Sequence, residues 1–121
     1  MPDNEVLSPA VLNRMRREMK GRNLAWIIDL FISELPNYIR ELQQAITNGD
    51  GETLYLVAHK FKGACSNLGA KSMVELCKHL ETLGRNGELQ QANTVIEGEL
   101  QKESERLRQA LEHEKQQTPT S

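Results

Sequence analysis

The sequence is poor in the features that mark several common classes of protein. Only 4% of its 121 residues are aromatic, it has two cysteines, and its formal net charge is −2. No apolar run approaches the roughly 20 residues of a membrane span, and the N-terminus is polar and acidic, unlike a signal peptide. Nucleic-acid binding usually requires a strongly basic surface. We therefore expect a cytoplasmic protein that neither inserts into a membrane nor binds nucleic acid as its main partner.

Phosphate-binding loops are also missing. The chain has no glycine-rich segment of the G-x-x-x-x-G-K-[ST] or G-x-G-x-x-G type, so nothing in it would bind ATP in those recognised ways. Its length suits one domain with one core. We expect no autophosphorylation, no enzymatic turnover of its own and no cofactor.

Apolar residues recur at helical spacing along almost the whole chain, and strand patterns are absent. The start Ser8-Pro9 is typical of a helix, and Pro36 should kink or divide the second helix because its nitrogen cannot donate a hydrogen bond. The predicted helices span 9–20, 23–48, 50–69, 70–83 and 88–114, with a turn at 84–87. We predict an all-α fold, an antiparallel up-down four-helix bundle made by the second to fifth helices, with the N-terminal helix packed across one end. One domain would span 8–115 between flexible tails at 1–7 and 116–121.

His59 lies on the outward face of the third predicted helix. At about 100° per residue, the apolar positions fall within roughly 60° of the direction opposite His59; they are Leu54, Val57, Phe61, Ala64, Cys65 and Leu68. Residues three, four and seven positions apart share a helix face, so Lys62, Gly63 and Ser66 surround His59. Glycine inside a helix costs up to about 1 kcal/mol relative to alanine, so Gly63 indicates a need for close approach to the ring.

The run Ala58-His59-Lys60-Phe61-Lys62-Gly63-Ala64-Cys65-Ser66-Asn67-Leu68-Gly69-Ala70, with Leu76, Cys77, Leu80 and Glu81 downstream, resembles the signature of histidine-containing phosphotransfer (HPt) domains of bacterial multistep phosphorelays. The resemblance implies a phosphocarrier: His59 accepts a phosphoryl group from the aspartate of one receiver domain and passes it to another. It also implies that Lys62 stabilises the phosphoryl group and that Gly63 gives steric access. Lys60 is a second candidate cation, and Ser66 a candidate hydrogen-bond donor near the ring.

The chemistry of the predicted site suits that role. A neutral imidazole nitrogen is a nucleophile that needs no activating base, and the Lys62 ammonium can offset the negative charge of a phosphohistidine. Mg²⁺ would come only from the receiver partner. The implied partners are receiver domains of hybrid sensor kinases and response regulators, and one outward histidine per bundle requires only a monomer.

Two features would then contribute to docking. The basic run Arg14, Arg16, Arg17, Lys20 and Arg22 either is a solvated face or helps to bind the acidic end of a receiver. Apolar residues left exposed near His59 would form the contact surface, with Met15, Met19, Leu56 and part of the turn 24–31 as candidates.

Two other functions remain open. One is a helical adaptor in which His59 is incidental. The other is a degenerate HPt protein that binds receivers without transfer, although a pure binder would not need Lys62 and Gly63. A metal site built from His59, Cys65, Cys77 and His79 is disfavoured because neither histidine faces its neighbouring cysteine. Both cysteines lie on apolar stripes and are expected to be reduced core residues, and His79 and His113 are expected to be bystanders. Cognate partners, the direction of phosphate flow and a free-standing or hybrid-kinase context stay open.

Overall fold

The computed structural model describes residues 6–19 and 24–117, which are helical and contain no strand. The elements are α1 (Pro9–Glu18), α2 (Ala25–Thr47), α3 (Gly51–Asn67), α4 (Lys71–Asn86), α5 (Leu89–Val95), a π-helical segment (Ile96–Leu100) and α6 (Gln101–Gln117). The all-α prediction is confirmed. Among the helices of these two ranges, none is both long and apolar enough to cross a membrane.

Four helical columns enclose one core: α2, α3, α4 and the continuous column formed by α5, the π-helical segment and α6. Asp29 near the start of α2 pairs with Lys115 near the end of α6, while Gln43 bonds Glu97 at the other end, so these two columns run antiparallel. The largest side chains that are fully buried include Phe61, Leu42, Leu80, Ile96 and Leu107. Burying an aliphatic or aromatic side chain of this size contributes roughly 1.5–3 kcal/mol.

The first helix packs across one end of the bundle, as predicted. The Ser8 side chain accepts a hydrogen bond from the Val11 amide and caps α1, and the Ser8 amide donates to the Gly69 carbonyl at 2.8 Å. Arg16 pairs with Glu114 of α6 at 2.7 Å. These contacts attach α1 to both the α3–α4 turn and the C-terminal helix.

The end of α4 differs from the prediction. We expected a turn at 84–87, but α4 continues through Gly84 and ends at Asn86. The left-handed residue that terminates it is Gly87, with φ of 70°. Gly84 instead lies against the start of α3, where a Cβ atom would come within 2.8 Å of the Gly51 carbonyl oxygen and 2.9 Å of the Tyr55 nitrogen. The turn prediction was wrong because Gly84 permits close helix packing rather than a chain reversal.

Other boundaries also shift. Pro36 lies inside α2 without dividing it, because Leu35 and Leu42 on either side are buried in the same core. The predicted C-terminal helix is interrupted by the π-helical segment, which adds one residue to a turn, and the column continues to Gln117. Leu7, placed in the predicted N-terminal tail, is buried. The predicted helix end at Lys20 and Gly21, and most of both tails, lie outside the described residues.

Candidate functional site

The helix that carries His59 starts at a local cap. The Asp50 carboxylate accepts a hydrogen bond from the Thr53 amide at 3.0 Å, which fixes the first turn of α3. From that start the turn of the helix places Phe61 and Cys65 fully inside, while the His59 side chain is 60% exposed. The predicted outward orientation of His59 is confirmed.

A carboxylate from the neighbouring helix contacts both functional side chains of α3. Glu81 of α4 approaches His59 Nδ1 with Oε2 at 2.7 Å, and it accepts a hydrogen bond from Lys62 Nζ on Oε1 at 2.9 Å. Its side chain is only 12% exposed. Glu81 belongs to the run that resembles the HPt signature, but the sequence predicted no role for it, because helical spacing relates only residues of one helix.

The ionisation state of Glu81 determines what it does to the imidazole. Burial raises the pKa of Glu81, but the hydrogen bonds from Lys62 and His59 outweigh that effect and hold the pKa below its usual value. An ionised carboxylate only accepts hydrogen bonds. The contact therefore requires Nδ1 of His59 to carry the proton, which leaves the lone pair on Nε2.

Space is left open beside the ring on the side of Gly63. Gly63 follows His59 by four residues on the same helix face, and a Cβ atom built there would meet nothing within 4 Å. The backbone at Gly63 is ordinary α-helix, so neither backbone conformation nor packing requires glycine here.

The structure separates the remaining predicted site residues from His59. Lys60 points to the α2 flank, where its ammonium pairs with Glu41 at 3.6 Å and lies 5.8 Å from the Tyr38 ring centroid. Ser66 is exposed and lines a different groove, next to Gly69. Of the predicted neighbours, Lys62 shares a cleft with His59, and Gly63 lies one turn after His59 on the same face of α3.

His59 borders a small cleft between α3 and α4. The cleft has a volume of about 200 Å³ and is lined by Tyr55, His59, Lys62, Glu81, Thr82 and Arg85. It therefore contains a nucleophilic nitrogen together with two cationic side chains.

The surface near α2 and α3 retains large apolar side chains. Trp26, Leu30 and Leu56 are 59%, 56% and 56% exposed, whereas Met15 and Met19 are partly buried against the core. In the turn 24–31, Leu24, Ile28 and Phe31 belong to the core, so Trp26 and Leu30 are the large apolar residues of this turn that remain exposed.

The basic run of the N-terminal region is partly engaged within the protein. Arg16 pairs with Glu114, and Arg14 pairs with Glu18 at 3.9 Å. Lys20 and Arg22 lie outside the described residues. A docking role for this run would therefore compete with existing ion pairs.

Both cysteines are free and buried, as predicted. The contact with the Cys77 thiol, together with burial, raises the pKa of Cys65 far above its usual value. Both histidines expected to be bystanders, His79 and His113, are exposed.

Comparison with known proteins identifies what this arrangement resembles. A family model described as the Hpt domain matches residues 27–116. Among solved structures, the crystal structure of histidine-containing phosphotransfer protein B (HptB) from Pseudomonas aeruginosa PAO1 matches with a TM-score of 0.86 and 32% sequence identity, covering 96% of this chain and 99% of that chain. The comparison with curated proteins finds no match. The family match includes α3 and α4 and hence the whole cleft.

Proposed function

Because the chain belongs to the Hpt domain family, which makes it a histidine phosphotransfer protein of two-component phosphorelays, we propose that His59 is the residue that carries the phosphoryl group. It accepts the group from a receiver-domain aspartate and passes it to the aspartate of another receiver. The observation that supports this most directly is the hydrogen bond between the exposed His59 ring and the partly buried Glu81 carboxylate.

That hydrogen bond suits nucleophilic attack. The Nε2 lone pair forms the N–P bond while the bond between phosphorus and the aspartyl oxygen breaks, and the aspartate leaves as a carboxylate. The ring keeps its Nδ1 proton and gains a positive charge, which the Glu81 carboxylate 2.7 Å away stabilises. In the reverse direction the same proton stays on Nδ1, so one arrangement serves both acceptance and donation.

Lys62 and Gly63 complete the proposed site. Lys62 holds the second oxygen of Glu81 and places its ammonium in the cleft, where it can offset charge on the phosphoryl oxygens. Gly63 leaves room for the donor to approach the ring. Lys60 and Ser66 are not part of the proposal, because they face other surfaces.

The partner in this proposal is a receiver domain, which supplies Mg²⁺ and most of the transfer electrostatics. We assign its docking face to the outward surfaces of α2 and α3, because Trp26, Leu30 and Leu56 are exposed there. Substituting Leu56, one turn before His59, by Asp should weaken receiver binding. In this proposal the protein acts in the cytoplasm. One histidine per bundle suffices for the transfer, so a monomer is enough.

The direct experiment measures transfer from a phosphorylated receiver domain to the wild-type protein, to His59→Gln and to His79→Gln. His79 is an exposed histidine outside the cleft and serves as the matched control. We expect acid-labile, alkali-stable label on the wild type and on His79→Gln, and none on His59→Gln. Label that persists without His59 would contradict the proposal.

The same variants separate a carrier from an adaptor. Under the carrier function, His59→Gln still binds the receiver but blocks signalling through the relay. Intact signalling by His59→Gln in cells would favour an adaptor.

A further inference from the structure

Arg85 is a second cation near His59, and the Tyr55 ring contacts both residues. Arg85 occupies the last turn of α4, one turn after Glu81, and its Nη2 donates a hydrogen bond to the Tyr55 hydroxyl at 3.0 Å. The guanidinium carbon is 4.6 Å from the Tyr55 ring centroid. The same Tyr55 ring stacks on the His59 ring, with the two centroids 5.9 Å apart and an interplanar angle of 20°.

The charges around the cleft are unequally compensated. The ammonium of Lys62 is paired with Glu81, and that of Lys60 with Glu41 on another flank. Arg85 instead contacts a neutral phenol, and within residues 6–19 and 24–117 no carboxylate lies within ion-pair distance of its guanidinium. An anion entering the cleft would therefore meet the positive charge of Arg85 without first displacing a carboxylate.

We propose that Arg85 binds the oxygens of the phosphoryl group carried by His59, and that Tyr55 is the positioning residue that holds Arg85 at the rim of the cleft. This inference rests on the proposed function of His59. A guanidinium offers a planar fork of donors that fits two phosphoryl oxygens, which an ammonium does not. Arg85 neither gives nor takes a proton; it offsets charge while the N–P bond forms or breaks.

The arrangement explains why the cation is held by an aromatic ring. The Tyr55 hydroxyl carries no negative charge, so it is a weaker acceptor for the guanidinium than a carboxylate or a phosphoryl oxygen would be. Arg85 can thus exchange the Tyr55 hydroxyl for phosphoryl oxygens at low cost while its guanidinium stays over the ring. A carboxylate in place of Tyr55 would compete with the phosphoryl group for the same donors.

The test is the pKa of the phosphoryl group on His59, measured by ³¹P NMR titration after phosphorylation with potassium phosphoramidate. A neighbouring cation favours the more negative form and so lowers this pKa. We expect a rise of several tenths of a unit in Arg85→Gln and a partial return in Arg85→Lys. Arg108→Gln, which removes the same charge from an exposed Glu105 pair on α6, should leave the value unchanged.

Two further variants test the positioning role. Tyr55→Phe keeps the ring and loses the hydroxyl, whereas Tyr55→Leu loses both. The phosphoryl pKa should rise more in Tyr55→Leu than in Tyr55→Phe. Equal values in both variants and the wild type would overturn the assignment of Tyr55.

The outcomes distinguish this inference from the function on which it rests. If the wild type acquires no phosphoryl group on His59 while free imidazole reacts with the same reagent, both proposals are overturned. If the wild type is phosphorylated but Arg85→Gln titrates like Arg108→Gln, only the assignment of Arg85 is overturned. The equilibrium of phosphoryl transfer with a receiver gives a second readout. In Arg85→Gln the ratio of phosphorylated to unphosphorylated protein should fall about threefold to tenfold.

Discussion

Replacing Gly63 should change the stability of the fold and the rate of phosphoryl transfer in opposite directions. A Cβ atom at this position meets nothing within 4 Å, and the residue lies inside α3 with helical backbone. Alanine is about 1 kcal/mol more favourable than glycine in a helix interior. Gly63→Ala should therefore stabilise the protein by about 1 kcal/mol, which corresponds to a rise in Tm of about 4 °C for a domain of this size.

The same substitution should not improve phosphoryl transfer. Side chains on a helix lean toward its N-terminus, so a side chain at 63 lies over the turn that contains His59. Gly63→Ala should reduce the rate of transfer from a receiver moderately, and Gly63→Gln should reduce it strongly while keeping part of the gain in stability. Both variants should keep a larger share of the wild-type rate with the small donor phosphoramidate than with a receiver domain.

Thermal unfolding followed by circular dichroism gives the Tm, and the initial rate of transfer from a phosphorylated receiver gives the activity. Gly98→Ala is the control, because a Cβ atom at Gly98 would also meet nothing within 4 Å, while the π-helical segment that contains Gly98 contributes no residue to the cleft. A lower Tm in Gly63→Ala would show that the fold requires this glycine. Full transfer activity in Gly63→Gln would refute the argument from steric access.

Three further substitutions test the site carboxylate, the packing of α3 on α4, and a buried carboxyl group of α6. Glu81→Gln should slow transfer by about fivefold, since a charged acceptor strengthens the hydrogen bond to His59 by about 1 kcal/mol. Because the pKa of Glu81 is lowered on folding, the contribution of Glu81 to the free energy of unfolding should be full above about pH 4.5 and fall with pH below that. Gly84→Ala should destabilise the protein by about 1–3 kcal/mol in urea unfolding, because its Cβ would lie 2.8 Å from the Gly51 carbonyl oxygen. Burial raises the pKa of Glu103 although Arg106 pairs with its Oε1 at 2.9 Å, and its Oε2 has no partner. The charged carboxylate is therefore disfavoured in the folded state, so Glu103→Gln should raise the free energy of unfolding at pH 7. This gain should vanish below about pH 4.5, where the carboxyl is protonated in both states.

The parts of the fold that depend on local interactions could be predicted from the sequence. Helix starts at Ser8 and Asp50 depend on a side-chain oxygen and an amide three residues later. The outward orientation of His59 depends only on the apolar spacing of its own helix. Both are properties of a single segment, so no knowledge of the tertiary packing was needed.

Glu81 and Arg85 required information that one segment does not contain. They reach His59 and Tyr55 from another helix, and these contacts depend on the axial register of α4 relative to α3. Glycine near the end of an apolar stripe also has two explanations, chain reversal and close packing. Gly84 was assigned to the first and belongs to the second, while Gly87 adopts the left-handed conformation that ends α4. The π-helical segment has no comparable sequence signal, since its apolar spacing resembles that of an ordinary helix.

The contact between Gly51 and Gly84 accounts for the assembly of the site. Each glycine has the backbone oxygen of the other close to where its Cβ would be, at 2.6 Å and 2.8 Å, so α3 and α4 approach closely at this end of the bundle. Glu81 and Arg85 lie on the same side of α4, one turn apart, and contact α3 within that region. A displacement of α4 by one residue would rotate both by about 100° and remove the carboxylate and the guanidinium from the cleft together. The packing of two glycines therefore sets the register that brings a carboxylate and an arginine to the histidine.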